Sequence, residues 1–284
     1  MRKLLLFSCL FLLMSCENYG QLKVKANLPK SLNEVSGIQY SEKENGFWML
    51  NDSGNKPHLY LVSEEGKILR ELKIDKKNND WEDLTQDKEG NIYIGDFGNN
   101  KNERKDLRIL KVKVTDLKAI NKIQVEKIEF YYPEQQKFPP KKKNKYYDTE
   151  AFFELDGFFY IFTKSRVKDE YGKTFLYQVP NKKGNHKAKL ISQFETKGDG
   201  WNCSITGADI SKDGKKVALI THQAVWVFSD FNTPDFFSGN VKEYPFTFIS
   251  QKESVTFKND LTIYIADEQR KMSGRNLYLF ELKD

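Results

Sequence analysis

The hydrophobic and polar positions along the chain follow a pattern that recurs five times. A polar residue opens a short alternating strand, a tight turn follows, and a second, more apolar strand ends near another polar group. β-Branched and aromatic residues dominate both segments, and this composition predicts strands rather than helices. The openings lie at residues 36–40, 82–86, 150–154, 206–210 and 253–257, and the second strands at 46–50, 91–94, 158–162, 216–220 and 261–265.

The spacing of the openings, between 46 and 68 residues, is close to the length of one propeller blade. Each repeat has room for two further outer strands, except the last, which is one strand short. Residues 21–26 supply a strand at the other end of the chain. The sequence therefore predicts an all-β, five-bladed β-propeller of four-stranded blades, closed by pairing the N-terminal strand with the last blade. Six blades are the alternative, because the 68-residue interval has room for a degenerate repeat.

The first 15 residues have the pattern of a bacterial secretory signal. Arg2 and Lys3 precede an apolar run over residues 4–14, and Ser15 stands before Cys16, as in a lipobox. We expect residues 1–15 to be a lipoprotein signal peptide and 16–284 a single propeller domain in the cell envelope. A lipid such as palmitate on Cys16 would then hold it to a membrane. An ordinary signal or a short membrane anchor is the alternative.

Composition adds little about partners. The formal charge of +6 falls to +4 without Arg2 and Lys3, and lysines are spread through turns, with one cluster at residues 141–145. We interpret that cluster as a solvated loop, with attraction to anionic lipid or polysaccharide as the alternative. No nucleic-acid-binding motif is present, and we expect a monomer without nucleic-acid partners. After loss of Cys9 and lipidation of Cys16, Cys203 has no disulfide partner.

In a propeller, the innermost strands line a central channel, so their first residues meet at one mouth. Three glutamates brought together there repel one another, and a hard cation such as Ca²⁺ relieves the repulsion with oxygen ligands. Zinc is disfavoured because His and Cys do not occur at ligand spacing. The alternative is that these residues only accept hydrogen bonds from backbone N–H groups. The predicted metal ligands are Ser36, Glu82, Glu150, Thr206 and Glu253.

The second strands run back to the same mouth and bring further polar residues with them. We expect the catalytic candidates to be Asp52, Asp96, Lys164 and Arg166, and the ligand-binding candidates to be Asn51, Asn99, His222, Asp267 and Glu268.

The order Ser, Glu, Glu, Thr, Glu at the blade openings resembles that of the calcium-activated nucleotidases, or soluble apyrases, as does the turn at residues 51–54. This resemblance implies a central Ca²⁺ held by Ser36, Glu82, Glu150, Thr206 and Glu253. It also implies a metal-assisted phosphohydrolase acting on nucleotides or other phosphoesters. Asp52 or Asp96 would then act as general base, and Lys164 and Arg166 would offset developing charge. The family's phosphate-binding arginines have no clear counterpart in this chain.

Two other readings stay open. Residues 50–54, 80–83 and 95–100 also resemble uncharacterised bacterial propeller proteins, which carry no activity to transfer. A binding module for an anionic small molecule, glycan, peptide or protein, with structural calcium, is the main alternative to an enzyme. Trp81 and Trp201 are the aromatic candidates for contact with a glycan. A purely structural lipoprotein is the other alternative to an enzyme, because a propeller fold by itself does not determine the function.

Overall fold

The computed structural model describes residues 20–120, 122–271 and 273–283. The predicted signal peptide and Cys16 lie outside this range. Within it, no helix is both long and apolar enough to cross a membrane. The helical segments described are five short 3₁₀ helices, at Lys30–Leu32, Val114–Asp116, Lys142–Asn144, Gly200–Cys203 and Phe236–Ser238.

The strands follow one another in chain order around the molecule. They are β1 (Lys23–Asn27), β2 (Val35–Ser41), β3 (Gly46–Asn51), β4 (His58–Ser63), β5 (Ile68–Lys73), β6 (Trp81–Gln86), β7 (Ile92–Asp96), β8 (Arg108–Val112), β9 (Glu126–Tyr131), β10 (Asp148–Leu155), β11 (Phe158–Lys164), β12 (Lys173–Pro180), β13 (Gly184–Lys187), β14 (Lys189–Glu195), β15 (Gly207–Ile210), β16 (Lys216–Ile220), β17 (Ala224–Ser229), β18 (Asn240–Pro245), β19 (Lys252–Asn259), β20 (Thr262–Asp267) and β21 (Asn276–Glu281).

These strands form five sheets, and each contains an antiparallel blade of four strands. Blade 1 is β2–β5, blade 2 is β6–β9, blade 3 is β10–β12 with β14, blade 4 is β15–β18, and blade 5 is β19–β21 with β1. The predicted five-bladed propeller is confirmed, and so is its closure, because β1 pairs with β21 at the outer edge of the last blade. Strand β13 is an addition that the sequence did not predict: it pairs in parallel with β9, as a fifth strand of blade 2.

The core lies between neighbouring blades, where apolar side chains of facing sheets pack in layers. Trp48 and Trp81, both fully buried, belong to the layer between blades 1 and 2. Phe97, Phe152 and Phe159 pack edge-on or tilted between blades 2 and 3. Trp81 is therefore a packing residue, and the structure corrects its interpretation as a glycan-contacting side chain at the channel mouth.

A β-bulge recurs at the start of the inner strands. The pairing register with the second strand shifts around Ser36, Glu82, Glu150 and Glu253, in blades 1, 2, 3 and 5. In blade 4 the N–H of Thr206 bonds to the carbonyl of Ile220, whose pairing partner is the next residue, Gly207. A bulge leaves one residue outside the ladder and re-aims its side chain. The repeated polar residue of each blade is this extra residue.

The inner strands approach one another closely along the axis. A Cβ on Gly37 would lie 2.9 Å from the backbone nitrogen of Leu84, and one on Gly207 would lie 2.9 Å from the carbonyl oxygen of Glu253. Asp83 of blade 2 accepts hydrogen bonds from backbone N–H groups of blade 3, at Phe152, and of blade 4, at Ala208. A side chain from one blade thus reaches two others, and it separates the two mouths of the channel.

Candidate functional site

The five predicted ligand residues all lie at the mouth where the inner strands begin, and all are largely buried, with 1% to 8% of their surface exposed. Glu82 and Glu150 interact electrostatically, as do Glu150 and Glu253. The two hydroxyls donate to neighbouring backbone: Ser36 Oγ to the carbonyl of Trp81 at 3.1 Å, and Thr206 Oγ1 to that of Lys252 at 2.7 Å. The positions form an inner ring around the axis.

A second ring of residues follows from the strand pairing. In each blade the residue just before the bulge pairs with a residue of the second strand, and the next residue along that second strand belongs to the ring. Blade 1 pairs Val35 with Asn51, so Asp52 takes this place, and the same count selects Lys164 in blade 3. The complete set is Asp52, Phe97, Lys164, His222 and Glu268. Four of these positions carry ionisable groups, whereas the ring of the fifth, Phe97 in blade 2, is fully buried against Phe130 and Phe152.

The residues that directly precede members of the second ring face away from the mouth in blades 1, 2 and 5; they are Asn51, Asp96 and Asp267. Asp96 is fully buried and binds the guanidinium groups of Arg104 at 3.0 Å and Arg108 at 2.7 Å. Because successive strand residues point to opposite faces, a one-residue shift exchanges channel and blade interior. The assignment of Asp96 as a candidate general base is therefore corrected, since both its oxygens are held in ion pairs.

The other two residues of this register are likewise engaged away from the mouth. Asp267 accepts hydrogen bonds from the N–H of Asn276 and the hydroxyl of Tyr278. Asn51 donates from Nδ2 to the carbonyl of Ser31. Their placement as ligand-binding residues is corrected for the same reason as that of Asp96.

Asn99 stabilises the loop after β7 rather than facing the axis. Its Nδ2 donates to the carbonyl of Tyr147, its Oδ1 accepts from the N–H of Arg104, and its own N–H donates to Asp148. All of its side-chain polar atoms are thus used in holding two loops together. The structure assigns Asn99 a structural contact between blades 2 and 3, not a free ligand-binding amide.

Blade 3 carries a cationic pair that neutralises its own acids. Lys164 Nζ lies 3.0 Å from Glu150 Oε1, and Arg166 binds both Glu150, at 2.9 Å, and Asp148, at 2.5 Å. Burial alone would lower the pKa of Lys164, but the charges of Glu150 and Glu253 outweigh it and raise that pKa. An ammonium therefore already occupies the blade 3 side of the inner ring, and Lys164 and Arg166 are committed to protein carboxylates.

Blade 4 contributes a histidine to the same mouth. His222 Nε2 lies 3.1 Å from Glu253 Oε1, and the histidine is almost fully buried. Burial opposes ionisation of Glu253, but the hydrogen bond and charge of His222 lower its pKa below the usual value. Trp201, 42% exposed, stands edge-on to the imidazole at 4.8 Å, and the guanidinium of Arg270 lies 5.6 Å from the indole centroid. Nearby Cys203 is buried and donates to the carbonyl of Gly200.

The acids of blades 1 and 2 form a cluster without such neutralisation. One carboxylate oxygen each from Asp52, Asp80 and Glu82 lies within 4.8 Å of the others. Glu82 is only 5% exposed, and among the described residues it has no hydrogen-bond or ion-pair partner. Gly98 makes room for this approach, because a Cβ there would overlap Glu82 Oε1 and Asp80 Oδ2.

Comparison of blades 2 and 3 explains the difference. Asp80 and Glu82 occupy the positions of Asp148 and Glu150, since Trp81 pairs with Asp96 as Thr149 pairs with Thr163. The cations of blade 3 are replaced in blade 2 by Phe97 and Asn99, the residues at the positions of Lys164 and Arg166. The same acidic pair therefore forms ion pairs with protein cations in blade 3, whereas in blade 2 Arg104 and Arg166 act on it only from a greater distance.

Repulsion within this acidic sector shows in the titration of its members. Burial, then the charges of Glu150 and Asp52, raises the pKa of Glu82 well above its usual value. Burial raises the pKa of Asp52 to about 6, and that of Glu268, with the charge of Glu253, to about 9. Within the described residues none of these three carboxylates forms an ion pair, and neighbouring acids disfavour their ionised forms. The mouth is thus divided into an acidic sector on blades 5, 1 and 2 and a cationic sector on blades 3 and 4.

Three residues of this site were not among those predicted from the sequence: Asp80, Asp148 and Gly98. The signal was present as a repeated Asp-x-Glu at residues 80–82 and 148–150. The bulge turns the glutamate toward the axis and leaves the aspartate beside it. Alternation places residues two apart on the same face of a strand, so this spacing could have grouped each aspartate with its glutamate.

Comparisons with known proteins give distant likenesses. Residues 14–138 match the family described as SdiA-regulated. The first part of the chain is similar to that family. No curated protein matches the chain. Among solved structures, virginiamycin B lyase from Staphylococcus aureus is 14% identical over 90% of this chain and 72% of its own, with a TM-score of 0.41. A streptogramin B lyase is 12% identical over 93% and 87%, with a TM-score of 0.47. A Bacteroides caccae protein of unknown function is 10% identical over 88% and 78%, also with a TM-score of 0.47.

Proposed function

We propose that this propeller binds a divalent cation, Ca²⁺ in the first place, through Asp52, Asp80 and Glu82, and that the occupied mouth is a binding site for a polar ligand. The observation that carries the proposal is the carboxylate of Glu82, which is buried among other acids and makes no hydrogen bond or ion pair within the described residues. Isolated buried charges are costly, and a cation is one way to balance them.

The residue types fit calcium. Ca²⁺ takes six to eight oxygen ligands in flexible geometry, and carboxylates, carbonyls and water all serve. Three carboxylates leave positions for water or for oxygens of a ligand. The cluster replaces the predicted five-residue shell as the preferred place for the ion, because Lys164 already balances Glu150.

Calcium titration of the metal-free protein tests the site. Isothermal titration calorimetry on chelator-treated protein is expected to give one ion per chain, with affinity lowered at least tenfold in Glu82→Gln. Asp156→Asn, which changes an exposed carboxylate in a distant turn, is the matched control and should bind calcium like the unaltered protein. An absence of binding, or equal affinity in the Glu82 variant, would refute the proposal.

For the ligand, the exposed indole of Trp201 favours a glycan. Sugars stack on aromatic faces and supply hydroxyl oxygens that calcium accepts. Trp201 is linked to the acidic sector through His222, Glu253 and Gln251, which contacts Glu268 at 3.3 Å. Glycan-array binding that requires calcium and falls in Trp201→Ala would support this assignment. If binding depends on calcium but is unchanged in Trp201→Ala, the ligand would instead be an anionic small molecule or a protein.

A second candidate, metal-assisted hydrolysis of a phosphoester, is favoured by the His222–Glu253 pair. A histidine oriented by a carboxylate is a suitable general base beside an open mouth. A bound cation would polarise a phosphoryl oxygen. Calcium-dependent release of phosphate from nucleoside di- and triphosphates, lost in His222→Gln without loss of calcium binding, would support the enzyme. Calcium binding without turnover would leave the binding module.

We further propose that the protein acts in the cell envelope, attached through lipid on Cys16. The support is the order of charged, apolar and small residues before that cysteine. Metabolic labelling with palmitate should mark the unaltered chain and not Cys16→Ser. Equal labelling of the two would contradict the anchor.

A further inference from the structure

The mouth opposite the acidic cluster opens into a cavity of about 600 Å³. It is lined by residues at or beyond the ends of all five inner strands, so every blade contributes to it. Its volume falls in the range of small-molecule sites. The acidic cluster and the second ring take no part in its wall.

The wall is mainly apolar. Leu117 and Phe257 are almost completely buried, while Leu155 and Ile210 keep part of their surface open to the cavity. Trp48 also borders the cavity, although its side chain is fully buried in the packing layer between blades 1 and 2.

The floor is polar and fixed. Asp209 accepts hydrogen bonds from Thr256 Oγ1 at 2.9 Å and from the N–H of Phe257 at 2.8 Å. Thr85 Oγ1 accepts from the N–H of Glu154 at 3.3 Å. These groups are oriented by the protein itself and separate the cavity from the acidic mouth. The two ends of the channel are therefore distinct sites.

Charges at the rim are balanced in pairs. Lys212 Nζ lies 2.7 Å from Glu42, which joins the turns of blades 4 and 1 across the mouth, and Lys88 Nζ lies 2.7 Å from Asp156. Lys258 lies 3.5 Å from Glu64. Both partners of the first two pairs are exposed, so these pairs are weak and can open. The lining as a whole has six carboxyl groups and five lysines, so it has no large surplus charge that would select an ion.

We propose that this cavity binds an uncharged, largely apolar small molecule. Apolar walls provide the affinity, and the fixed polar floor orients the ligand. The site is independent of the calcium proposal, since the two share no residue.

The test uses N-phenyl-1-naphthylamine, an uncharged apolar probe, whose fluorescence rises on leaving water. The full chain with Cys16→Ser, which removes the lipid, should give saturable binding of one probe per chain. Leu155→Arg places a charge in the wall and should weaken binding at least tenfold. Leu261→Arg is the matched control, because Leu261 lies in the corresponding turn of blade 5 but outside the cavity, and should bind as before.

Ile210→Lys is a second wall variant, and the melting temperature shows whether each variant is folded. Weakening by a folded wall variant, with no effect of Leu261→Arg, supports the site. Non-saturable binding, or equal affinity in all variants, overturns it. Preference for the anionic probe 1-anilinonaphthalene-8-sulfonate, with binding that falls as salt rises, would overturn the assignment to an uncharged ligand.

Discussion

Gly98 shows how one missing side chain shapes the acidic site. With no Cβ at this position, the carboxylates of Asp80 and Glu82 can enter the same small space. Like charges placed so close together are unfavourable unless they protonate or share a cation. The glycine thus gives the cluster its spacing, and its replacement tests the site without touching a ligand.

Gly98→Ala is expected to lower calcium affinity at least tenfold while leaving the fold intact. The added methyl meets only the ends of two flexible side chains, which can move apart at little cost to stability. Calorimetry measures the affinity, and thermal melting in chelator measures stability. Unchanged affinity in a folded variant would show that these carboxylates do not hold the ion together.

Lys252 is a buried amine whose titration affects stability. Its Nζ donates to the carbonyl of Phe248 at 2.7 Å and lies 4.7 Å from the centroid of the Phe246 ring. Burial lowers its pKa to about 8, against the charge of Asp267. Between about pH 8 and 10.5 the unfolded chain therefore holds one more proton than the folded chain. Stability contributed by this group rises with pH through that window.

Lys252→Met is expected to remove this rise, which amounts to about 2 kcal/mol between pH 8 and pH 10. Urea unfolding of both proteins at pH 8 and pH 10 measures it, and the difference between them isolates Lys252 from other lysines and tyrosines. A constant difference between the two proteins at both pH values would contradict the lowered pKa.

At the residue scale, sequence reasoning placed Ser36, Glu82, Glu150, Thr206 and Glu253 in one mouth from their register. It was wrong for some residues at the ends of the second strands. Asp96 and Asp267 were predicted at the mouth, but the pairing turns both away from it; Glu268, which was also predicted, follows Asp267 and lies on the mouth side. A bulge changes the count between two strands by one, and no residue type marks it reliably.

At the scale of one blade, the acids of blade 3 depend on Lys164. Removing Lys164 leaves the buried Glu150 with Arg166 as its remaining ion-pair partner, and loss of one partner of a buried ion pair is destabilising. We expect Lys164→Met to destabilise the protein by about 3 kcal/mol. The double variant Lys164→Met/Glu150→Gln should recover most of that loss, and urea unfolding measures both. Lys88→Met, which removes an exposed partner of Asp156, should change little. Additive effects of Lys164→Met and Glu150→Gln would contradict the coupling.

The strands themselves were well predicted, because alternation and β-branched residues determine them locally. Residues 216–220 coincide with β16, and the other predicted strands overlap the observed ones. Strand β13 was missed, since its sequence, Gly-Asn-His-Lys, has neither an apolar alternation nor β-branched residues. Its pairing depends on the neighbouring blade, and a local pattern does not record that.

At the scale of the whole molecule, the ring is held closed by β1. This strand covers the edge of β21, which would otherwise present unpaired backbone groups. Deletion of residues 1–27 is expected to lower the melting temperature by roughly 10 °C and to cause concentration-dependent association. Deletion of residues 1–19 keeps β1 and is the control. A monomeric 28–284 fragment as stable as the control would show that closure does not depend on this strand.

The architecture was accessible from sequence because closure follows from counting strands: the last blade lacks one and the N-terminus supplies it. The balance of charges at the mouth was not accessible. Blades 2 and 3 carry the same acidic pair, but the cations Lys164 and Arg166 accompany it only in blade 3. The pairing across strands is needed to show that Phe97 and Asn99 take their positions in blade 2.

The parallel contact of β13 with β9 also joins blade 3 to blade 2. A segment that belongs in the chain to one sheet completes the hydrogen bonding of its neighbour. Neither sheet can therefore open at this edge without disturbing the other. The backbone amides of Ile128 to Tyr131 should consequently exchange with deuterated water only when both blades come apart, as a single cooperative unit within the ring.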